Sequence, residues 1–298
     1  MIVAAVDLGT NTTRLLVGRV EEGRVEELHR ETRITRLGEG VDRRRRLLPL
    51  PIARVRNALS DYRRTAESLG AERTLLVATS AVRDAENGEA FLGEIEWSYG
   101  FATRLLSGDE EATLTQRGVG ELATATLLVD IGGGSTELVL DDFRTSLPLG
   151  SVRFTERHGD DMDASIEAAR ALLPELRPQS AVGVAATITS LAALDLGLDE
   201  YDRARVHGHV LTREGARTQL ERLAALPLEE RRRVPALDPH RAPVIVAGGA
   251  ILLAILDEYG LAGIRVSERD LLDGAALAAA ELPEPDEGAA PPGAYTCC

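Results

Sequence analysis

Two short segments of this chain carry residue types suited to handling phosphate. One is Asp7-Leu8-Gly9-Thr10-Asn11 and the other is Asp130-Ile131-Gly132-Gly133-Gly134-Ser135. A tight turn of Gly, Thr, Ser and Asn exposes backbone N–H groups with little side chain in the way, and such nests bind phosphate oxygens. The aspartate that closes the strand before each turn is a ligand type for magnesium or its waters. One such turn is ordinary in a hairpin. Two of them, one with three consecutive glycines, point to a phosphate site. Two further stretches carry compatible chemistry. Arg83, in Thr79-Ser80-Ala81-Val82-Arg83-Asp84, offers a planar fork for phosphate oxygens. Ser107-Gly108-Asp109-Glu110-Glu111-Ala112 opens a helical pattern with three acids, which serve either the helix dipole or proton transfer.

What is missing narrows the chemistry further. All 34 basic residues are arginine and none is lysine. That excludes a P-loop lysine, a Schiff-base lysine and the lysine a protein kinase sets on ATP phosphates. Guanidinium does not deprotonate near neutral pH, so among basic side chains only the five histidines are possible bases. The two cysteines are Cys297 and Cys298, which excludes a zinc site built on Cys. Aromatic residues make up 3% of the chain, too few for base-stacking platforms. A net charge of −14 argues against nucleic acid as a partner. The charge is uneven, however. Residues 41–64 hold eight arginines, among them Arg43, Arg44, Arg45 and Arg46, against two aspartates. The block reads either as a solvated helix and loop or as a landing surface for a polyanion.

The elements that must position these groups repeat. Residues 5–15 lie on residues 128–138 with Val, Asp, Gly, Thr and Leu coinciding. Each copy is an apolar strand, a tight turn and a second apolar strand, which is a hairpin pattern. A repeat this distant implies two homologous domains rather than a solenoid. Helical patterns run over 52–69, 109–122, 163–176, 188–196, 213–225, 249–258 and 268–281, and strand-like runs include 74–78, 181–185 and 244–247. This alternation predicts an α/β fold. The expected domains are 1–122 and 123–267, with the helix 268–281 returning to the first, and 282–298 is expected to be a disordered tail. The longest uncharged apolar runs, such as 250–256, are far short of the ~20 residues that cross a bilayer. Met1 leads straight into a strand-like run without a leader pattern, and with the terminal cysteines this gives a cytoplasmic expectation. His207-Gly208-His209 reads as a structural turn rather than a metal site, and Glu229-Glu230-Arg231-Arg232-Arg233 as a solvated helix end.

Taken in order, the motifs resemble the exopolyphosphatase / guanosine-pentaphosphate phosphohydrolase (Ppx/GppA) family of the actin-like phosphotransferase superfamily. The resemblance runs through Val6-Asp7-Leu8-Gly9-Thr10-Asn11, Leu37-Gly38-Glu39-Gly40-Val41 and Ala78-Thr79-Ser80-Ala81-Val82-Arg83. It continues through Ser107-Gly108-Asp109-Glu110-Glu111-Ala112, Asp130-Ile131-Gly132-Gly133-Gly134-Ser135-Thr136-Glu137, Ala247-Gly248-Gly249-Ala250 and Val266-Ser267-Glu268-Arg269-Asp270. It covers nearly the whole chain to about residue 280, in the short two-domain form. It implies a duplicated actin-like (ribonuclease H-like) fold with the active site in the interdomain cleft.

The resemblance also implies an activity: hydrolysis of a terminal phosphate from inorganic polyphosphate with Mg2+, or Mn2+, as cofactor. By matching position, Glu111 is the expected general base. Asp130 and Glu137 are the expected metal ligands, joined by Asp7. Thr10, Asn11, Arg83, Gly132, Gly133, Gly134 and Ser135 are the expected phosphate contacts. Arg43, Arg44, Arg45 and Arg46 become candidates to guide distal phosphates. Members of the family often form homodimers. One departure stands out, since Ala185 and Ala186 occupy positions that are usually glycine. Three other readings stay open: removal of the 5′ γ-phosphate from guanosine pentaphosphate, a nucleotide-dependent kinase supported only by the 247–250 turn, and a non-catalytic sensor of phosphate chains or alarmones.

Overall fold

The structure is a computed structural model that describes residues 1–283 of the chain. Of the segment expected to be a disordered tail, only Leu282 and Pro283 are among the described residues. The chain divides into two compact units: Met1–Val119 together with the segment from Leu271 onward, and Gly120–Asp270.

The first unit holds strands β1 (Ile2–Leu8), β2 (Thr12–Glu21), β3 (Arg24–Ile34), β4 (Arg73–Ala78) and β5 (Ala102–Leu105) in the order β3-β2-β1-β4-β5. The β1-β2 and β2-β3 pairs are antiparallel, whereas β1-β4 and β4-β5 are parallel. Strand alternation sends Ala4, Val6, Leu8, Leu15 and Val17 into one core with Val55, Leu59 and Tyr62 of the helix Pro49–Ser68. It sends Val3, Ala5, Leu16 and Val77 into a second core with Leu272, Ala275, Ala276 and Ala279 of the helix Leu271–Ala280. That helix lies tight against the helix Gly108–Val119. A Cβ on Gly274 would stand 1.9 Å from the Leu114 carbonyl oxygen, so a side chain there is not accommodated.

The second unit holds β6 (Thr126–Ile131), β7 (Thr136–Leu140), β8 (Phe143–Leu147), β9 (Ser180–Val184), β10 (Val210–Thr212) and β11 (Gly263–Val266), in the order β10-β11-β9-β6-β7-β8. Leu127, Val129 and Ile131 bury one face against the helices Ala185–Asp195 and Ile245–Glu258. An antiparallel meander leads into parallel crossover strands, as in the first unit. The duplication holds to the residue. Asp7 pairs with Arg14 and Leu8 with Thr13 across β1-β2. The positions that align with them, Asp130 with Glu137 and Ile131 with Thr136, pair across β6-β7.

Two expectations need correction. The strand-like run 244–247 is the start of the helix Ile245–Glu258. Its β-branched residues imitate a strand, and a short apolar run buried all round has no period that separates the two states. Glu229-Glu230-Arg231-Arg232-Arg233 is not wholly solvated, because Arg231 is 1% exposed. It donates to the carbonyls of Leu223, Leu226 and Ala242 and to both carboxylate oxygens of Asp160. All five guanidinium donors are thereby used, which is what permits the burial.

Candidate active site: two glycine turns at the carboxyl edges of their sheets

Strands β1, β4 and β5 run parallel, so the residues that follow them gather at one edge of the first sheet. Those residues are Gly9 to Asn11, Thr79 to Arg83 and Leu106 to Glu111. Strands β6, β9 and β11 likewise bring Gly132 to Ser135 and Ala185 to one edge of the second. Ligands of α/β sheets bind beyond carboxyl strand ends.

In the first unit the Gly9 N–H donates to the Thr12 carbonyl at 2.9 Å, closing the turn. The Thr10 carbonyl accepts from the Gly38 N–H at 2.8 Å, and the Asn11 carbonyl accepts from Thr35 and Arg36. In a trans peptide the C=O and the next N–H point opposite ways. The Asn11 N–H is therefore turned away from the 35–38 loop, and it has no acceptor among the described residues. The Thr10 hydroxyl shares a 2.9 Å hydrogen bond with the Ser80 hydroxyl, tying the turn to the segment that carries Arg83. Arg83 Nη1 donates to the Leu106 carbonyl at 2.7 Å and to Glu111 Oε2 at 3.1 Å. The structure thus brings Arg83 and Glu111 into contact, and Glu111 is 6% exposed.

Its neighbour Glu110 has another task. Its carboxylate accepts from the Ser107 N–H and hydroxyl, both at 2.8 Å, and the Glu110 N–H donates back to the Ser107 hydroxyl. This is a capping box on the helix Gly108–Val119. The bonds from Ser107 hold the Glu110 carboxyl below the usual carboxylate range. Asp7 is also engaged, since Arg14 Nε and Nη2 lie 2.9 and 2.8 Å from its Oδ2.

The second unit repeats the turn. The Gly132 N–H donates to the Ser135 carbonyl at 3.0 Å, the counterpart of the Gly9 bond. Gly150 presses on it from beneath, where a Cβ would come within 2.4 Å of the Gly133 oxygen. The helix Ser151–His158 begins there. The Gly132 carbonyl accepts from the Ser151 N–H, the Gly133 carbonyl accepts from Val152 and Arg153, and the Gly134 carbonyl accepts from Arg153 Nε at 2.7 Å. Three successive carbonyls face the helix, so the N–H groups of Gly133, Gly134 and Ser135 face the other way. None of the three has an acceptor among the described residues. This is a nest of donors held by the fold and suited to an anion.

Asp130 and Glu137 stand opposite each other across β6-β7, which puts both carboxylates on one face of the sheet. They are 7% and 2% exposed, and Glu137 Oε1 accepts from the Ser146 hydroxyl at 2.6 Å. Among the described residues there is no group of three or more His, Cys, Asp or Glu placed to hold a metal.

Ala185, directly after β9, adopts φ +66°. Its methyl therefore does not forbid the left-handed conformation; the chain adopts it at a cost. Gly248 and Gly249 lie within the helix Ile245–Glu258. A Cβ on them would stand 2.6 Å from Thr187 Oγ1 and from Leu220 Cδ1, respectively. Those glycines serve helix packing, which removes the feature that had favoured a nucleotide-dependent kinase. His207 and His209 part company: the Glu268 N–H donates to His207 Nδ1, while His209 Nε2 lies 2.8 Å from Asp195 Oδ2. Arg14 and Ser80 shape the first unit's turn, and Gly150, Ser151 and Arg153 shape the second unit's. Arg14 left a sequence signal, since the repeat sets it on Glu137, and Ser80 stands in the Thr79–Asp84 stretch; the other three left none.

Matching sheet orders and matching glycine turns define a duplicated, actin-like α/β protein whose turns carry N–H groups without acceptors among the described residues. The profile of the Ppx/GppA phosphatase family matches residues 16–281, and the chain belongs to that family. It is 39% identical to exopolyphosphatase 2 of Mycobacterium tuberculosis, over 93% of this chain and 98% of that one. It is 28% identical to a guanosine-5'-triphosphate,3'-diphosphate pyrophosphatase of Photobacterium profundum, over 92% of this chain but 58% of the longer relative. The crystal structure of an exopolyphosphatase-like protein superposes with a TM-score of 0.86 at 31% identity, covering 93% of this chain and 98% of that one.

Proposed function

We propose that this chain is an exopolyphosphatase, hydrolysing the terminal phosphoanhydride bond of inorganic polyphosphate and releasing orthophosphate. The observation that carries the reading is the Gly132–Ser135 nest beside the Asp130/Glu137 pair, in a chain 39% identical to a curated exopolyphosphatase over nearly its full length. Glu111 accepts a proton from the attacking water. The water oxygen bonds to the terminal phosphorus, and the bridging P–O bond breaks toward the shortened chain. Arg83, Thr10, Asn11 and the N–H groups of Gly133, Gly134 and Ser135 hold the phosphate oxygens. Phosphoryl transfer needs position and charge compensation more than covalent chemistry, and guanidinium and backbone N–H donors are groups suited to it.

Asp130 and Glu137 suit a magnesium or manganese ion. They are hard oxygen donors on neighbouring strands, and magnesium needs only one or two carboxylates because it keeps waters and binds substrate phosphate. When bound, such an ion neutralises charge on the phosphate oxygens. Asp7, whose Oδ2 is held by Arg14, is the third proposed ligand. No helix among the described residues is long and apolar enough to cross a membrane; that the reaction is cytoplasmic is part of the proposal.

Phosphate release from polyphosphate by wild type and by Glu111→Gln tests the reading. Loss of the base lowers kcat about 10²–10⁴-fold. Equal rates would remove Glu111 from that role. A second reading is favoured by the Photobacterium relative: removal of the 5′ γ-phosphate of guanosine pentaphosphate, which would place the chain in the stringent response. Comparing kcat/KM on polyphosphate and guanosine pentaphosphate decides between them. Tight binding of either without turnover would leave a sensor, the reading that the departure at Ala185 and Ala186 keeps open.

A further inference from the structure

The arginine-rich block sorts itself in the structure. Arg54, Arg56, Arg63 and Arg64 each pair with a carboxylate, on Glu39, Glu94, Glu67 and Asp61 respectively. Arg43, Arg44, Arg45 and Arg46 are all exposed. Among the described residues their guanidinium groups have neither an ion pair nor a hydrogen bond. Four uncompensated cations in succession are costly neighbours, and acidic residues are plentiful in a chain of net charge −14. A merely solvated stretch would be expected to attract some of them.

The stretch is also rigidly mounted. Val41 and Leu47, on either side, are 3% and 1% exposed and belong to the first unit's core. Arg45 is held at φ +53°, a conformation that costs a non-glycine residue energy and persists only where its surroundings impose it. Its carbonyl accepts from the Glu86 N–H at 2.8 Å, and Asn87 brackets Leu47 with two hydrogen bonds. Glu86 and Asn87 follow Arg83 in the chain. On the other side, the 35–38 loop leading into the stretch clasps the carbonyls of Thr10 and Asn11. The four arginines are thus fixed between two segments that carry candidate phosphate contacts.

We propose that Arg43, Arg44, Arg45 and Arg46 form a binding track for the distal phosphates of a linear polyphosphate chain, outside the reacting centre. This rests on the reading of the chain as a polyphosphate hydrolase and names how that activity distinguishes long substrates from short ones. A flexible polyanion engages such a track by charge and by guanidinium–phosphate hydrogen bonds. The fixed backbone lowers the ordering cost of each contact.

The test compares wild type with a variant in which all four arginines are replaced by glutamine, and with a second in which all four are replaced by lysine. Binding of long-chain polyphosphate and of tripolyphosphate is measured by calorimetry without divalent ions, and KM is measured for both substrates. The track predicts that the glutamine variant loses at least about tenfold in affinity for the long chain and that its KM rises by a similar factor, that the penalty grows with chain length, and that lysine restores part of it. Equal long-chain affinity in wild type and the glutamine variant overturns the proposal.

A measurement on wild type alone guards against a variant that does not fold. Modification of Arg43 to Arg46 by a dicarbonyl reagent, read by mass spectrometry, should be suppressed by long polyphosphate far more than by tripolyphosphate or single-stranded RNA. Equal protection by all three, or none by the long chain, also overturns it. If wild type binds the long chain through these arginines yet releases no phosphate from any substrate, the functional reading fails and the track stands.

Discussion

Glu110 and Glu111 are adjacent and do opposite work. Glu110 turns back to Ser107 and caps its helix, whereas Glu111 turns inward to Arg83. Because the folded state holds the Glu110 carboxyl below its ordinary value of 4.5, its contribution is fully present above that value and fades as pH falls through the lower folded value. Thermal melts of Glu110→Gln should therefore fall short of wild type near pH 7 and converge on it only as pH falls through the lowered Glu110 value. The gap should be a few tenths of a kcal/mol, because this surface group is screened. A gap that widens toward acid would contradict the cap. Arg83→Lys should lower kcat/KM about 10- to 100-fold, since an ammonium cannot span the Leu106 carbonyl, Glu111 and a phosphate as a fork does. A change confined to stability would leave Arg83 a structural residue. At this scale the two glycine turns were legible from the repeat alone. The division of labour between Glu110 and Glu111 was not. Both lie in a first helical turn, and which one faces inward is set by packing that composition does not record.

Elements show where local sequence preference gives way to tertiary demand. Val184 ends β9 beside Asp130, and Ala185 must then bend through φ +66° to start its helix. Left-handed alanine costs about 1–2 kcal/mol, while glycine adds about 0.5–1 kcal/mol of freedom to the unfolded chain. Ala185→Gly should then raise stability by about 0.5–1 kcal/mol, read as a higher urea midpoint at constant slope. A lower midpoint would mean that the methyl group packs favourably enough to outweigh the strain. Arg231 makes the converse case. Lysine offers three donors on one atom against the five acceptor contacts that the guanidinium reaches. Arg231→Lys should cost about 3 kcal/mol by leaving buried carbonyls unsatisfied, and a loss under about 0.5 kcal/mol would show that water replaces them. The alternation of strands and helices was readable from period. The start of the helix Ile245–Glu258 was not, because Val244-Ile245-Val246 is apolar on every side and its state is chosen by the helices it packs against.

The molecule as a whole carries −14 charges and would act on a polyanion. Its overall field repels the substrate, and the proposed four-arginine track attracts it locally. Salt screens both, with a Debye length of about 10 Å at 0.1 M. The two terms therefore give opposite signs. Where the track governs capture, added salt weakens binding and KM for long chains rises, as it does for phosphate-chain ligands held by cations. Where the diffuse acidic field governs, added salt relieves repulsion and KM falls. Wild type should show the first behaviour. The variant with glutamine at positions 43, 44, 45 and 46 should show the second, so the slope of log KM against log salt reverses sign between them. The absence of lysine sharpens this comparison: every cationic side chain in this block is an arginine, and four of the eight already answer to carboxylates, which leaves Arg43 to Arg46 to carry the slope. KM for long polyphosphate, taken from low to high sodium chloride at constant magnesium, reads the slope directly. A falling KM in wild type would assign capture to the global field and leave the arginine track without a role in it.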